Sequence, residues 1–467
     1  MTDSAARRAA LVAVTLISFA TPFMISGVNV ALPMISAEFG AGAILLSWLS
    51  TSYTLASAVF LLPFGKLADI YGRKRVFLAG TCLYTVASLL CALVNSTSML
   101  ITTRVIQGIG AGMVFATSTA ILTSVYPASE RGKVLGINVA AVYLGMSVGP
   151  FLGGVMVEAW GWRSVFLANV PLGIVTVALT TARMRGEWVG SPGEAFDLAG
   201  STIYGVSVVA LMLGFSQLPA VWGAGLIVAG AAAGAAFLAR QVRIEHPVLD
   251  LRLFRGNRVF ILSSLAALAN YAATASVAFL LSLYLQYIKA LTPREAGIVL
   301  IAQPVVQTVF SPLAGRLSDR MEARVVASTG MAFTAIGLTM LTFLGEGSSL
   351  IYVVACLLVL GFGFGLFSSP NTSAIMGAVE RRYYGVASSL VGTMRVFGQM
   401  LSMGTAMILF ALYIGQAQIT PEYYGRFLLS ARTSFGIAAV LCALGILASL
   451  ARGRARVAEE AEAAGAH

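Results

Sequence analysis

Charge is what this sequence has least of. Only 10% of its 467 residues are Asp, Glu, Lys or Arg, too few to cover a water-soluble chain of this length. Histidine is nearly missing. His246 and His467 are the two, in a loop and at the chain end, and neither has a nucleophile or metal-ligating neighbour at a useful spacing. The four cysteines, Cys82, Cys91, Cys356 and Cys442, lie in apolar stretches at spacings that suit neither a disulfide framework nor a zinc site; they read as small buried hydrophobes. No phosphate-cradling glycine loop occurs, so the chain is not expected to use ATP or any other cofactor. The formal charge of +11 does not indicate nucleic acid, because the basic residues lie in short loops instead of a patch or arm. An enzyme, a metalloprotein and a nucleic-acid binder are thus disfavoured together.

Apolar sequence fills the space that charge leaves. Hydrophobic residues make up 58% of the chain and the mean hydropathy is +0.87. Windows long enough to cross a bilayer fall near 11–33, 44–64, 76–95, 99–121, 134–157 and 162–182. Two more follow at 198–216 and 221–239, then six at 259–285, 296–315, 325–344, 350–372, 385–412 and 431–450. The pattern is six, two, six, and it predicts an all-α polytopic membrane protein. The expected units are residues 1–182, a linker over 183–258 carrying the extra pair, residues 259–450, and an Ala- and Glu-rich tail over 451–467 expected to be disordered. Arg7 and Arg8 before an apolar run resemble a signal peptide, but the run continues into a full span without a clean cleavage site and reads as an uncleaved first helix.

The basic residues orient these spans. With the N-terminus in the cytoplasm, only Arg163, Lys289, Arg294, Arg426 and Arg432 fall on the outer side. Arg104 and Arg395 lie inside spans, and every other Lys or Arg is cytoplasmic. Both termini are therefore expected inside, in the cytoplasmic (inner) membrane.

The densest charge cluster is Gly65–Arg75, reading G-K-L-A-D-I-Y-G-R-K-R between the second and third windows. Its glycines permit a tight turn, and Asp69 can pair with Arg or cap a helix N-terminus. Pro63-Phe64-Gly65-Lys66-Leu67-Ala68-Asp69 is echoed by Pro312-Leu313-Ala314-Gly315-Arg316-Leu317-Ser318-Asp319-Arg320 after the second span of the other half. Two six-span halves with matching loops are the layout of a transporter whose bundles alternate about a central cavity.

Polar residues within spans are the candidates for that cavity. Arg104 lies about 7.5 Å below the start of its span, placed either to snorkel to the headgroups or to join a polar cluster with Gln107 and Asn29. Arg395, roughly 15 Å deep, serves either a structural network or substrate contact, with Gln399 one turn on. Asn138, Tyr143, Asn270, Gln303 and Gln307 complete the set. Gly145, Gly149, Gly153 and Gly154 suit close helix packing, with a kink at Pro150.

These motifs resemble the major facilitator superfamily, and within it the fourteen-span drug:proton antiporters of the multidrug efflux branch. Gly65–Arg75 is similar to the family's signature loop. Arg104-Val105-Ile106-Gln107-Gly108-Ile109-Gly110 is similar to its fourth-span signature, and Gly145-Met146-Ser147-Val148-Gly149-Pro150-Phe151-Leu152-Gly153-Gly154 to the fifth-span signature of exporters. Asn29-Val30-Ala31-Leu32-Pro33 and the stretch from Trp160-Gly161-Trp162-Arg163 to Asn169-Val170-Pro171-Leu172-Gly173 also follow the branch. The resemblance implies gating by Gly65, Asp69, Gly72 and Arg73, with Gly315, Asp319 and Arg320 as the second copy. It also implies a proton-coupling role for Arg104 and a helix seam at Gly149-Pro150.

One departure stands out. The branch carries a carboxylate five residues before the position of Asn29, and that position is Met24. No Asp or Glu lies in the middle of any window, the nearest being Glu38, Asp69, Glu158 and Asp197. Proton coupling needs a group that changes protonation, and Glu158 is the preferred carrier beside Arg104. An acid-free cavity with two embedded arginines favours neutral or anionic amphiphiles over cations. The expected function is export of small amphiphiles, coupled to protons, with membrane lipids around it. A metabolite or lipid facilitator and a non-transporting sensor or scaffold are the alternatives.

Overall fold

The computed structural model describes residues 3–184, 186–249, 251, 257–318, 320–379 and 384–452. Among them, fourteen helices are long and apolar enough to cross a membrane. The first half contains α1 (Asp3–Phe39), α2 (Ala43–Tyr71), α3 (Arg73–Leu93), α4 (Thr97–Val125), α5 (Ala128–Trp160), α6 (Arg163–Leu167) and α7 (Asn169–Ala182). The central pair is α8 (Leu198–Gln217) and α9 (Val221–Arg243). The second half contains α10 (Arg258–Leu283), α11 (Pro293–Leu300), α12 (Ala302–Ser318), α13 (Ala323–Leu341), α14 (Leu350–Gly377), α15 (Tyr384–Tyr413) and α16 (Tyr424–Ala451).

Helix boundaries overrun the apolar windows, because backbone pairing continues through polar residues after hydropathy has fallen. α1 runs for 37 residues and α5 for 33. Starts are set by side chains that take up free N–H groups: Ser96 accepts from Met99 N, Asn257 from Phe260 N and Ser349 from Tyr352 N. Thr292 and Glu295 form a reciprocal capping box at α11. Two spans are each split into two helices. Pro171 cannot donate to the Leu167 carbonyl where α6 gives way to α7, and Pro304 cannot donate to Leu300 where α11 gives way to α12.

The repeat seen in the loops recurs in the packing. α1 lies on α5 and α10 on α15; α2 and α3 lie on α4 as α12 and α13 lie on α14. Glycines make these contacts close. An added Cβ at Gly110 would lie 2.8 Å from the Gly80 carbonyl, and one at Gly330 would lie 2.6 Å from the Gly363 carbonyl. The embedded arginines break the symmetry, since Arg104 is on the fourth span of its half and Arg395 on the fifth.

An even number of spans leaves both described ends on one face, the terminal face. On the opposite, far face the halves share the largest apolar core, which runs from Met24 and Val28 of α1 through Ala273 and Leu280 of α10 to Phe410 and Phe427. Toward the terminal face the halves keep separate cores, one around Phe77, Tyr84 and Val114 and one around Phe260, Ile375 and Leu390. The pair α8–α9 covers the seam between α2 and α15. Tyr204 of α8 donates to the Ala58 carbonyl at 2.7 Å. Asp197 caps α8 and holds α9 through Arg240 at 2.9 Å and Gln241 at 3.1 Å.

Candidate substrate cavity and gates

A small cleft, open on one side, lies between the halves. Pro22 and Ile25 of α1, Tyr53, Thr54 and Ser57 of α2, and Phe115 of α4 line one side. Val142 and Met146 of α5 continue it, and Arg395, Val396 and Gln399 of α15 face them. Two sequence candidates, Arg395 and Gln399, are brought together there. The Arg395 guanidinium stands 5.7 Å from the centre of the Phe115 ring across the interface.

The other candidates are distributed around the cavity. Arg104 is 1% exposed, turned inward instead of up to the headgroups. It donates to the Leu49 carbonyl at 3.2 Å and to Gln107 Oε1 at 2.8 Å. It also stacks 4.5 Å from the Tyr53 ring centre. Gln107 passes the network on to Ser88 Oγ at 2.8 Å. Arg104 therefore sits directly behind a cavity wall. Asn29 accepts from Ser50 at 3.0 Å, and its carbonyl accepts from Ser282 of α10 at 2.7 Å. Tyr143 and Ser368 share a hydrogen bond of 2.5 Å across the halves. Asn138, Asn270 and Gln307 are buried with side-chain atoms that find no partner among the described residues, while Gln303 lies with its carbonyl against Gly361. Glu158 is exposed in the last turn of α5 and is not part of the cavity lining.

The far face is closed by backbone-to-backbone contact between halves. Space for a side chain is absent at Gly154, which abuts the Pro293 carbonyl, and at Gly297, which abuts the carbonyl of Pro150. Gly145, Gly149 and Gly153 instead seat α5 on α1, against Phe19, Ser26 and Gly27. Gln286 donates to the Val30 carbonyl at 3.0 Å, and Ala43 N to the Ala417 carbonyl at 3.0 Å.

On the terminal face, the Gly65–Arg75 stretch is gripped by residues 187–194. Asp69 accepts from Arg73 at 2.7 Å, and Arg73 donates on to Ser124 at 2.6 Å. The Asp69 carbonyl accepts from Gly190 N and Ser191 N, each at 2.9 Å, while Arg73 N donates to the Trp188 carbonyl at 3.0 Å. Glu187 accepts from Lys74 N at 2.7 Å and lies 3.7 Å from Arg75. Lys66 pairs with Glu194 at 2.5 Å, and His246 stands 3.6 Å from the same carboxylate. The Lys66 hydrogen bond holds Glu194 below its ordinary value. For Asp197, burial pushes the pKa up, but hydrogen bonds from Arg240, Gly200 N and Gln241 outweigh it and hold the carboxyl low. A Cβ added at Gly65 would lie 3.8 Å from that of Ala116, and Gly72 turns the chain at φ 118°. Of the second loop, Gly315 approaches Ser369, Arg320 is exposed, and Asp319 lies outside the described residues.

Sequence reasoning missed two things. The lining residues Tyr53, Thr54, Ser57 and Phe115 carried one faint signal, small polar side chains at helical spacing within α2. The linker grip carried another, since Glu187 and Glu194 follow Arg183 and Arg185 as acids on a face otherwise dense in Lys and Arg.

Two helical bundles related by a repeat, closed on one face around a central cavity, define a secondary-transporter architecture. The family model described as the Major Facilitator Superfamily matches residues 14–239 and 263–466. The chain belongs to that family, whose members are transporters and not enzymes. It is 32% identical over 90% of its length to the riboflavin transporter RibZ of Clostridioides difficile (strain 630), covering 91% of that protein. It is 34% identical over 79% of its length to the multidrug resistance protein Stp of Mycobacterium tuberculosis, covering 70% of it. It is 31% identical over 94% to the cephamycin export protein CmcT of Amycolatopsis lactamdurans, covering 91%. Among solved structures, a peptide transporter POT in complex with sulfate superposes with a TM-score of 0.71 at 16% identity, covering 96% of each chain. A bacterial homologue of the lysosomal transporter Spinster does so with 0.69 at 16%, covering 95% of this chain and 97% of that one. At that identity the likeness concerns the fold.

Proposed function

We propose that this transporter exports small amphiphilic molecules across the cytoplasmic membrane by alternating access, coupled to protons. The observation that carries the reading is the asymmetry of closure: one face is sealed by side-chain-free contacts between α5 and α11, and the cavity lies beneath the seal. The two multidrug-resistance and export relatives support the direction, and the density of Lys and Arg on the terminal face supports placing it in the cytoplasm. In this reading the structure is inward-facing, and residues 1–182 and 259–450 rock against each other while 183–258 brace them. The cavity candidates Asn29, Gln107, Asn138, Tyr143, Asn270, Gln303, Gln307, Arg395 and Gln399 line or surround the path that rocking exposes.

Arg104 and Glu158 are the candidates for coupling. Glu158 lies one helical turn beyond Gly154, at the end of the helix that must part from α11. Protonation there would remove a charge at the rim of the seam as it opens. Asp69, with its loop, would brace the inward state and release in the other.

The test is transport by proteoliposomes carrying an internal pH dye, for wild type and Glu158→Gln, with cationic, neutral and anionic amphiphiles. Substrate-dependent proton movement that Glu158→Gln removes is the expected result. Substrate movement with no proton signal would replace coupling by facilitated transport, the reading that the absence of an acid from the cavity lining favours.

A further inference from the structure

The cavity contains a cation with no anion to meet it. Among the described residues, the Arg395 guanidinium faces the ring of Phe115, 5.7 Å away, and forms no ion pair with a carboxylate. No Asp or Glu lines the space. A guanidinium held at mid-membrane without a carboxylate is costly unless water or a ligand compensates it. Opposite, on the other half, the Tyr53 side chain lines the same cavity. Tyr53 is 1% exposed and its hydroxyl has no hydrogen-bond partner among the described residues. A buried hydroxyl without a partner calls for an explanation, and here it belongs to a residue of the cavity wall. Arg104 stacks on the back of that ring at 4.5 Å, so the field at Tyr53 favours donation of its proton toward an anion.

We infer that the cavity selects planar aromatic anions, with the acidic group between Arg395 and the Tyr53 hydroxyl and the ring against Phe115. The inference rests on the reading of this cavity as the substrate site. A carboxylate or sulfonate on a flat ring meets both requirements at once. The charge answers Arg395, and the ring replaces water on the apolar walls formed by Ile25, Val142 and Met146. Because Arg395 is on α15 and Tyr53 on α2, such a ligand would bridge the two halves, and its occupancy would bear on how they move.

The test uses the full-length protein in nanodiscs of phosphatidylcholine and three matched probes: anthracene-9-carboxylate, 9-anthracenemethanol and 9-(aminomethyl)anthracene. Binding is read by fluorescence at neutral pH. The carboxylate is expected to bind at least tenfold tighter than the ammonium. Arg395→Gln should weaken the carboxylate at least tenfold, leave the alcohol within about twofold, and so erase the discrimination; Arg395→Lys should retain part of it. Unchanged alcohol binding shows that the variant is folded. Tyr53→Phe should weaken the carboxylate more than the alcohol. Equal or tighter binding of the ammonium by the wild type, or an Arg395→Gln variant that still discriminates, would overturn the inference. Discs containing phosphatidylglycerol separate two sources of the anion. Competition there assigns the site to an anionic lipid headgroup, and no competition assigns it to a soluble aromatic acid. Binding with this selectivity but no transport in proteoliposomes would count against the transport reading alone, whereas transport that prefers the cation would count against this inference alone.

Discussion

Arg104 shows how a charged side chain can be held inside the bundle just behind the cavity wall. Its Nε donates to the Leu49 carbonyl and its Nη1 to Gln107, and its face packs on Tyr53, so it is held in the bundle without a carboxylate beside it. Arg104→Ala would leave Gln107 without its acceptor role and the Leu49 carbonyl without its side-chain donor. Loss of such buried, charged hydrogen bonds costs about 2 kcal/mol, to be seen as a lower melting temperature of the purified protein, with transport lowered at least tenfold. Gly154 and Gly297 make the complementary point, because there the missing side chain is the feature. A valine at either position would overpack the seam by about 1–3 kcal/mol. Gly154→Val should therefore shift the population toward a state open at the far face. Labelling of a cysteine placed at Ser282, which is buried against α1, would report this as faster modification in the variant.

At the scale of elements, the segment between α7 and α8 ties the Gly65–Arg75 stretch to the extra helices. It supplies the Trp188 carbonyl, the Gly190 and Ser191 N–H groups, Glu187 and Glu194 to the Gly65–Arg75 stretch, and its own end, Asp197, caps α8. Gly190 is hemmed in, since a Cβ would stand 3.0 Å from both Arg73 and Asp69. Gly190→Val is expected to free the segment, seen as increased hydrogen exchange in residues 187–194 and in the start of α3, with the α4 core unchanged. The grip also has a pH signature. Glu194 has its pKa lowered in the folded protein, so its contribution is fully present above the ordinary value of 4.5 and fades as pH falls through the lower one. Protection of 187–194 should hold from neutral pH down to about that value and decline below it; protection unchanged down to about pH 3 would show that Glu194 does not govern the contact. This arrangement was hard to read in the sequence, because it pairs Lys66 with Glu194 and Lys74 with Glu187, and nothing local to those acids names their partners. The fourteen spans were legible for the opposite reason. Crossing a bilayer demands length and hydropathy, and both are written along the chain. The breaks at Ala168 and Ile301 were written there too, as Pro171 and Pro304, but prolines inside α1, α2 and α5 leave those helices continuous, so proline alone does not announce a break.

For the whole molecule, the repeat in sequence and the repeat in packing agree, and the cavity lies where the halves meet. Why the cavity was only partly legible follows from its composition. Ile25, Val142 and Met146 are as apolar as residues that face lipid, and only Arg395 and Gln399 stood out from the hydropathy of their helix. The seam between α2 and α15 is covered by α8, held through Tyr204 and by the packing of Phe215 against Gly404. The α5–α12 seam is closed by Ser147 and Thr308, whose hydroxyls are 3.2 Å apart.

The central claim is that the two halves exchange the face on which they are closed. Spin labels on Ala159 at the exposed end of α5 and on Ile298 of α11, also exposed, lie on either side of the far-face seam. The distance between them, measured by pulsed electron resonance in nanodiscs with and without a transported amphiphile, tests that claim most directly. A second, longer distance that gains population with substrate, and dominates in Gly154→Val, is the expected result. One short distance, unchanged by substrate and by the variant, would contradict alternating access and leave a membrane scaffold as the better description.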